Sequence, residues 1–244
     1  LSGASGIDFA LLVVAADESV MPQTVEHADI LAMLGVSRGV VALTKTDLVD
    51  GDTLELATLE LSEFLASRGL GHLPVMPVSA VTGAGVAELV EALYAAAEAC
   101  APPPAGRPFR LPVDRVFAAK GFGTVVTGTC IDGTLEASAP VELFPGVGTS
   151  RVRGMQVFGG ETPSVRAGQR VALNVPDLKH EELSRGHLVA APGSVWPSRL
   201  IDVRVEVLST ARHPLKSGLV CRLHVHTQEV ETHLHLAGRP ALAP

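Results

Sequence analysis

A proline-rich segment near the middle of the chain constrains the fold most, because it separates two regions with different hydrophobic periods. The segment is Ala101-Pro102-Pro103-Pro104-Ala105-Gly106, and consecutive prolines favour a stiff, extended linker. Before it, short apolar runs alternate with helical patterns, whereas after it the helical period disappears. We therefore predict one domain over residues 1–100, a linker over 101–108, a second domain over 109–194 and the start of a third over 195–244.

The first region has the pattern of a parallel sheet. Ile7 to Ala16 is a near-continuous apolar run, which is typical of a strand covered on both faces. Val40 to Leu43 and Val75 to Val78 are shorter runs of strand length. A helical pattern follows each of the three, and consecutive strand–helix units imply a parallel sheet with right-handed crossovers.

The three predicted helices have recognisable ends. The first runs from about Thr24 to Leu34 and meets Gly35, a natural stop. The second is predicted to begin at an Asp52 N-cap, with Glu55 at the capping-box offset, and to end at Gly69. The third is amphipathic and carries its apolar residues at helical spacing: Val86, Leu89, Val90, Leu93 and Ala97.

The region after the linker predicts all-β structure. Regular short strands with glycine turns and no helix are typical of a closed β-barrel. The strand-like runs are Phe109–Val113, Thr124–Thr129, Val141–Phe144, Arg151–Val157 and Gln169–Val175. Two later runs, Ser198 to Leu208 and Leu219 to Leu236, are too short to close a barrel of their own. The predicted fold class is therefore α/β, with a partial parallel sheet, followed by an all-β barrel and part of a second β domain.

Composition excludes several classes of protein. The 244 residues are 47% hydrophobic and 18% charged, which is ordinary for a globular protein and far from disorder. No apolar run is long enough to cross a bilayer, and no signal peptide opens the chain. Three distant cysteines without a C-x-x-C pair suit reduced thiols in the cytoplasm. The formal charge of −7 argues against non-specific coating of nucleic acid but permits a local basic face for a folded RNA.

Two polar turns follow neighbouring predicted strands, where ligands of α/β domains bind. In the first turn, Asp47 can accept hydrogen bonds from the N1 and N2 donors of a guanine, while the stem of Lys45 lies along the base. In the second, a backbone N–H of the Ser79–Ala80 turn can donate to the guanine O6. Adenine would leave that donor unpaired, a penalty of about 1–3 kcal/mol. A solvated turn is the alternative for the first loop taken alone.

The first turn resembles the guanine-specificity loop of GTP-binding proteins, usually Asn-Lys-x-Asp, with Thr44 in place of the asparagine, and Pro77 to Ala80 resembles a second specificity loop. Asp17 to His27 resembles the segment that follows the second switch in translational GTPases, and Lys120 to Gly128 resembles the hairpin that opens their second domain. Leu111 to Phe117 and Ala167 to Leu173 are similar to strands of the selenocysteine-specific elongation factors, where threonine in place of the asparagine is also common.

This resemblance implies a GTP-dependent, cytoplasmic elongation factor that delivers selenocysteinyl-tRNA to the ribosome, with GTP or GDP and Mg²⁺ as cofactors. It implies a guanine site formed by Thr44, Lys45, Asp47, Leu48, Ser79 and Ala80. It also implies a selenocysteinyl pocket formed by Asp114, Arg115 and Arg170.

The pocket residues suit a selenol, which is more acidic than a thiol and largely ionised at neutral pH. Each guanidinium would attract the anion by about 4 kcal/mol before desolvation, at an effective dielectric near 20. A neutral serine hydroxyl would leave both arginines under-compensated, so the serylated precursor would be rejected. Asp114 would orient the arginines. The alternative is a surface ion pair between Asp114 and Arg115, worth about 0–1 kcal/mol.

Several expected motifs lie outside the sequence. No G-x-x-x-x-G-K-[ST] loop occurs, so nothing here cradles the nucleotide phosphates. We expect that loop, the Mg²⁺ ligands and the catalytic residues before Leu1, and the winged-helix domains that bind the insertion hairpin of the messenger RNA after Pro244. The chain alone is accordingly expected to be inactive, with no catalytic residue, no metal site and a first domain of marginal stability.

Three alternatives remain open from the sequence. Another translational GTPase, similar to elongation factor Tu or to the gamma subunit of initiation factor two, lacks the Asp114, Arg115 and Arg170 set. A module that binds guanine nucleotide or tRNA without hydrolysis is also possible. The pairs His224/His226 and His233/His235 alternate on strands as zinc ligands can, but no fourth ligand is evident, which favours outward polar positions of a hairpin.

Overall fold

The structure of the chain is a computed structural model that contains two compact units, Ile7–Pro102 and Pro103–Pro244. It describes residues 7–36, 38–100, 106–207, 211 and 213–243. None of the helices in these ranges is long and apolar enough to cross a membrane.

The first unit is a three-stranded parallel sheet with helices between its strands, as the sequence predicts. The strands pair in the order β1-β2-β3. Its elements in chain order are β1 (Ala10–Ala15), α1 (Pro22–Met33), β2 (Gly39–Thr44), a 3₁₀ turn (Thr46–Leu48), α2 (Gly51–Ser67), β3 (Val75–Pro77) and α3 (Val86–Glu98).

The ends of the helices follow the predicted chemistry with one correction. Gly35 and Gly69 follow α1 and α2 with φ of +67° and +73°, a conformation that costs glycine little. The N-cap of α2 is Asp50, whose side chain accepts a 2.9 Å hydrogen bond from the Thr53 amide. The predicted Asp52 cap is therefore wrong. Asp50 has the extended backbone that a cap needs, so the helix begins at Gly51 and Asp52 lies in its first turn.

The prediction that β1 is covered on both faces is also wrong for the described residues. Leu12 and Val14 are buried in a cluster with residues of α1 and α2, but Leu11 and Val13 on the opposite face are 43% and 59% exposed. Alternate residues of a strand face opposite sides, and α3 packs against β2. The face of β1 that carries Leu11 and Val13 is therefore uncovered because α3, the last helix, packs against β2 instead.

The second unit is built from antiparallel strands, as predicted. Its first ten strands are β4 (Arg110–Ala119), β5 (Gly123–Thr129), β6 (Thr134–Glu136), β7 (Pro140–Phe144), β8 (Gly148–Arg151), β9 (Gly154–Val157), β10 (Gly160–Glu161), β11 (Ser164–Arg166), β12 (Arg170–Asn174) and β13 (Leu188–Ala190). Residues of eight of these ten strands form one buried core, to which β8 and β10 contribute none. A 3₁₀ turn (His180–Glu182) precedes the tenth strand.

The expected closed barrel is not observed. The described strands form an open ladder in the order β10-β9-β12-β5-β4-β13-β7-β8, and β6 and β11 pair separately. The chain turns a corner between β8 and β9. There, the Val152 amide donates to the Ala139 carbonyl, whereas the next amide, of Arg153, donates to the Asn174 carbonyl on β12. The neighbouring residues Val152 and Arg153 thus bond to segments in opposite halves of the ladder. β8 and β9 do not pair with each other.

The last part of the chain contains four strands in two pairs. They are β14 (Leu215–Lys216), β15 (Leu219–Val225), β16 (Gln228–Leu234) and β17 (Ala241–Leu242). The predicted run from Leu219 to Leu236 is confirmed as the β15–β16 hairpin. The predicted strand from Ser198 to Leu208 is wrong for residues 198–207, which pair with no other strand of the described chain, and Leu208 lies outside the described residues. Apolar composition alone does not form a strand without a partner.

Gly128 on β5 is expected to tolerate no side chain. A Cβ there would lie 2.2 Å from the Pro112 carbonyl oxygen and 2.7 Å from Leu111 Cδ2, both on β4. Gly128→Ala should therefore lower the free energy of unfolding by about 1–3 kcal/mol, measured by denaturant titration. Gly154→Ala is the matched control, because a Cβ at Gly154 meets nothing within 4 Å. Equal stabilities of the two variants would contradict this packing.

Candidate functional site

The first candidate site lies at the carboxyl ends of β2 and β3. Five of the six residues of β2 are buried, and the chain leaves the sheet at Lys45, which has a left-handed backbone with φ of +59°. The Thr44 hydroxyl donates to the Val14 carbonyl at 3.2 Å, which joins the ends of β1 and β2. Thr44 is therefore engaged in the sheet, while Lys45, Asp47 and Leu48 are exposed beyond it.

The structure brings the two predicted polar turns together. The Val78 amide donates to the Leu43 carbonyl at 2.8 Å, which extends the β2–β3 pairing to the start of both turns. The hydroxyl of Ser79, a buried side chain, then donates to Asp47 Oδ1 at 2.5 Å. This hydrogen bond orients the carboxylate at the edge of the sheet. The placement agrees with the predicted order of the strands, and the roles of these residues toward a nucleotide remain predictions.

The second turn leaves two backbone donors of the described chain, the amides of Ala80 and Val81, free for a ligand. Within it, the Ser79 amide donates to the Ala84 carbonyl at 2.9 Å, and the Thr82 amide donates to the Ser79 hydroxyl at 3.1 Å. The amide of the exposed Ala80 donates to no group in the described chain. An oriented carboxylate and a free amide on adjacent turns provide the acceptor and the donor that a guanine edge requires, so the residues present fit this base.

Sequence reasoning missed three neighbours of this site. Val81, beside Ala80, is 84% exposed, and an apolar side chain at such a position can cover a planar base. Asp17, in the turn after β1, accepts a hydrogen bond from Lys45 Nζ at 3.2 Å, and Glu18 lies 3.6 Å from the same ammonium. The hydrogen bond from Lys45 to Asp17 raises the pKa of Lys45. The sequence did contain a signal for these carboxylates, since the pair Asp17-Glu18 directly follows the apolar run that ends at Ala16.

The second candidate site lies on the exposed side of the antiparallel sheet, across strand β5. Arg170 on β12 forms a two-pronged ion pair with Asp114 on β4: Nη1 bonds Oδ2, and Nη2 lies 3.0 Å from Oδ1. Thr127, on β5 between them, donates to Asp114 Oδ1 at 2.7 Å. Asp114 is thus held by two side chains. The suggested alternative of a surface pair between Asp114 and Arg115 is replaced by a pair between Asp114 and Arg170.

A β-bulge explains why Arg115 also lies on this side. Val113 pairs with Gly128, and Arg115 pairs with Thr127, so Asp114 is the extra residue of β4. Alternate residues of a regular strand face the same side, which would place Arg115 with the buried Val113. The bulge shifts this alternation, and Arg115 is exposed. It makes no hydrogen bond or ion pair with any described residue.

The charges of this site follow from the contacts. Burial acts to raise the pKa of Asp114, but the hydrogen bonds from Arg170 and Thr127 outweigh it and hold the pKa below its usual value. The hydrogen bond to Asp114 raises the pKa of Arg170. Asp114 and Arg170 are therefore ionised at neutral pH, and together with Arg115 they give the site two guanidiniums against one carboxylate.

The histidines of the β15–β16 hairpin are separated along the strands. His224 pairs with Glu229, whereas His233 pairs with Val220 at the other end of the hairpin. Among the described residues, no three His, Cys, Asp or Glu side chains are arranged to hold a metal ion.

Two family models match the chain in the order of its two main regions. Residues 1–99 match the model of the elongation factor Tu GTP binding domain, and residues 123–190 match the model of elongation factor Tu domain 2. The first match contains both polar turns. The second contains Thr127 and Arg170.

Curated relatives are similar over most or all of the chain. The chain is 46% identical over its whole length to a selenocysteine-specific elongation factor of Desulfomicrobium baculatum, and it covers 38% of that protein. It is 36% identical to elongation factor Tu 2 of Streptomyces avermitilis, with 94% of the chain and 62% of the relative covered. The chain therefore spans between about a third and two thirds of the length of these relatives.

Solved structures have the same fold. A bacterial selenocysteine-specific elongation factor matches 98% of the chain and 40% of its own, with a TM-score of 0.86 and 30% identity. Translation elongation factor SelB from Methanococcus maripaludis, in its apo form, matches with a TM-score of 0.82 and 26% identity over 94% of the chain and 50% of its own. The chain is therefore similar to the GTP binding domain and domain 2 of elongation factor Tu, in that order, and over its length to selenocysteine-specific elongation factors.

Proposed function

We propose that the full-length protein is a GTP-dependent factor that binds selenocysteinyl-tRNA and delivers it to the ribosome. The observation that carries this proposal is the cluster of Asp114, Arg115 and Arg170 on one exposed side of the sheet. Its supporting context is the 46% identity to a selenocysteine-specific elongation factor. The protein acts in the cytoplasm, and further domains of the full-length protein bind the messenger RNA hairpin.

The guanine base binds at the ends of β2 and β3. Asp47, oriented by Ser79, accepts hydrogen bonds from the guanine N1 and N2 donors, and the free Ala80 amide donates to O6. The stem of Lys45 covers one face of the base and Val81 the other. The nucleotide phosphates and Mg²⁺ bind residues other than those of this site. Mg²⁺, when bound, neutralises phosphate charge during GTP hydrolysis.

The selenocysteinyl group binds beside the bulge of β4. Because Arg170 is already paired with Asp114, its charge is largely compensated within the protein. Arg115 makes no hydrogen bond or ion pair with a described residue and acts on Asp114 only through its charge, so it supplies the attraction for the selenolate. The site therefore has a net charge close to one positive unit, which favours an anionic side chain over the neutral serine hydroxyl.

The distribution of charge supports a nucleic acid partner for the second unit. Residues 7–102 contain 3 Lys and Arg against 14 Asp and Glu, whereas residues 103–244 contain 16 against 12. A polyanionic tRNA is attracted to the basic part and repelled by the acidic part. The formal net charge of −7 for the whole chain does not show that the first unit is acidic and the second is basic. We assign the tRNA surface to the second unit as a whole, because residues 109–194 alone contain 9 Lys and Arg against 8 Asp and Glu. Within this unit, residues 109–194 are the second domain and residues 195–244 the start of a third.

The experiment that tests the proposal is protection of the aminoacyl ester. With GTP, the full-length protein should slow hydrolysis of selenocysteinyl-tRNA at least about tenfold more than hydrolysis of seryl-tRNA. Seryl-tRNA on the same tRNA body is the matched control, because only the selenium is exchanged for oxygen. GDP should abolish the protection. Equal protection of both tRNAs would instead support a general factor similar to elongation factor Tu.

Single-turnover GTP hydrolysis by the full-length protein separates an enzyme from a module that only binds. We expect hydrolysis that is accelerated by ribosomes. Binding of GTP without any hydrolysis on ribosomes would exclude the GTPase part of the proposal and leave the binding part.

A further inference from the structure

The turn after β1 forms a rigid acidic support beside the guanine site. We call Asp17, Glu18 and Ser19 the acidic turn. Lys45 Nζ lies 3.2 Å from Asp17 Oδ1 and 3.6 Å from Glu18 Oε1, although the Lys45 side chain is 44% exposed. A long lysine side chain at such exposure would ordinarily be mobile in water. Here its ammonium is held between two carboxylates from another loop.

The position of the acidic turn is fixed by hydrogen bonds at both ends. The amides of Glu18 and Ser19 donate to the Ala15 carbonyl at 3.2 and 2.9 Å, which closes the turn at the end of β1. The Ser19 hydroxyl donates to Glu60 on α2 at 2.6 Å. In addition, the Ala16 amide donates to the Thr44 carbonyl at 2.8 Å, directly before Lys45. The acidic turn and the lysine are therefore connected through the same pair of strands.

We propose that Asp17 is a positioning residue of the guanine site, which holds the Lys45 ammonium so that the lysine stem lies ready to cover the base. This inference rests on the proposed guanine binding and adds a residue to it. An ordered stem loses less conformational freedom when the base binds, and this preorganisation strengthens binding without a new contact to the nucleotide. Glu18, which lies farther from the ammonium, gives secondary support.

A paired lysine differs chemically from a free one. Its charge is compensated by Asp17 and Glu18, so it attracts the nucleotide phosphates weakly and contributes mainly the apolar surface of its stem. Loss of Asp17 should consequently affect GDP and GTP to the same extent. It should also leave the preference among bases unchanged, because Asp47 and the Ala80 amide read the guanine edge.

The test is the affinity of the full-length protein for GDP, GTP and inosine diphosphate, which lacks the 2-amino group. Asp17→Asn should weaken GDP and GTP binding equally, by about two- to fivefold, and keep the ratio of GDP to inosine diphosphate affinity. Asp29→Asn is the matched control. Asp29→Asn removes the same charge from the same unit. Because Asp29 pairs with Arg68 at 3.2 Å and not with Lys45, nucleotide binding should not change.

A double-mutant cycle shows whether Asp17 acts through the lysine. Lys45→Met retains an unbranched apolar stem and removes the ammonium. In that background, Asp17→Asn should have no further effect. An equal effect of Asp17→Asn with and without the ammonium, or no effect in the wild type, would overturn the inference. Failure of the proposed function gives a different result, because the wild-type protein would then not prefer GDP to inosine diphosphate.

Discussion

Asp47→Asn is expected to weaken GTP binding by about 100-fold or more, and to shift the preference of the protein from guanosine to xanthosine nucleotides. The aspartate supplies two charge-assisted hydrogen bonds to the base, each worth about 1.5–3 kcal/mol. Xanthine has an oxygen where guanine has its 2-amino group. An asparagine amide therefore faces a repelling donor on guanine and a matching acceptor on xanthine.

The structure determines which way the new amide would face. The Ser79 hydroxyl donates to Asp47 Oδ1 at 2.5 Å, so an asparagine would keep its carbonyl oxygen toward Ser79 and present its NH₂ group to the base. The measurement is the affinity for GDP and xanthosine diphosphate. Asp52→Asn, with the same charge change in the first turn of α2, is the control. Unchanged GTP affinity in the Asp47 variant would show that this carboxylate does not contact the base.

Arg170→Ala is expected to reduce the preference for selenocysteinyl-tRNA over seryl-tRNA by about 100-fold. Loss of the guanidinium removes the two-pronged pair with Asp114 and leaves a partly buried carboxylate beside the selenolate. Breaking such a pair costs more than the pair contributes, because one charge stays without its partner. The remaining charges of Arg115 and Asp114 cancel, so the attraction for an anion disappears.

Two further variants make this test specific. Asp114→Asn combined with Arg170→Ala removes the unpaired carboxylate and should restore part of the preference, since Arg115 then faces the selenolate alone. Arg166→Ala, on β11 of the same unit, is the control for the loss of one arginine. The readout is the ratio of ester protection for the two tRNAs, in which general weakening of tRNA binding cancels. A preserved ratio in Arg170→Ala would remove the selenocysteine assignment from this cluster.

Sequence patterns predicted well those features of the fold that depend on the backbone conformation of the residue itself. Gly35 and Gly69 end helices because they adopt positive φ, and the β–α alternation correctly predicted a parallel sheet. One error is local, since Asp50 rather than Asp52 has the extended backbone of the α2 N-cap. The other errors concern partners. The doubly covered β1 and the strand at 198–207 each depended on which other segment packs or pairs with the predicted one, and a sequence pattern contains no such information.

The candidate sites show the same division. The sequence predicted that the Asp47 and Ser79 turns lie side by side, because parallel strands end at one edge of a sheet. It also identified Asp114, Arg115 and Arg170 as a set, through resemblance. It did not show that Arg170 rather than Arg115 pairs with Asp114, since that pairing depends on a one-residue bulge and on the strand order β12-β5-β4.

The sequence by itself determined the order of the elements and the chemistry of the two polar turns, because these depend on side chains close in the chain. The charged set, in which Asp114 and Arg170 are 56 positions apart, was identified through resemblance. The tertiary structure decided that the antiparallel ladder stays open, that Arg115 is the arginine without a hydrogen bond to Asp114, and that Asp17 holds Lys45. Each of these results depends on contacts between residues that are 28 or more positions apart in the sequence, or on which face of a strand a side chain occupies. Only the folded backbone specifies such distances and directions.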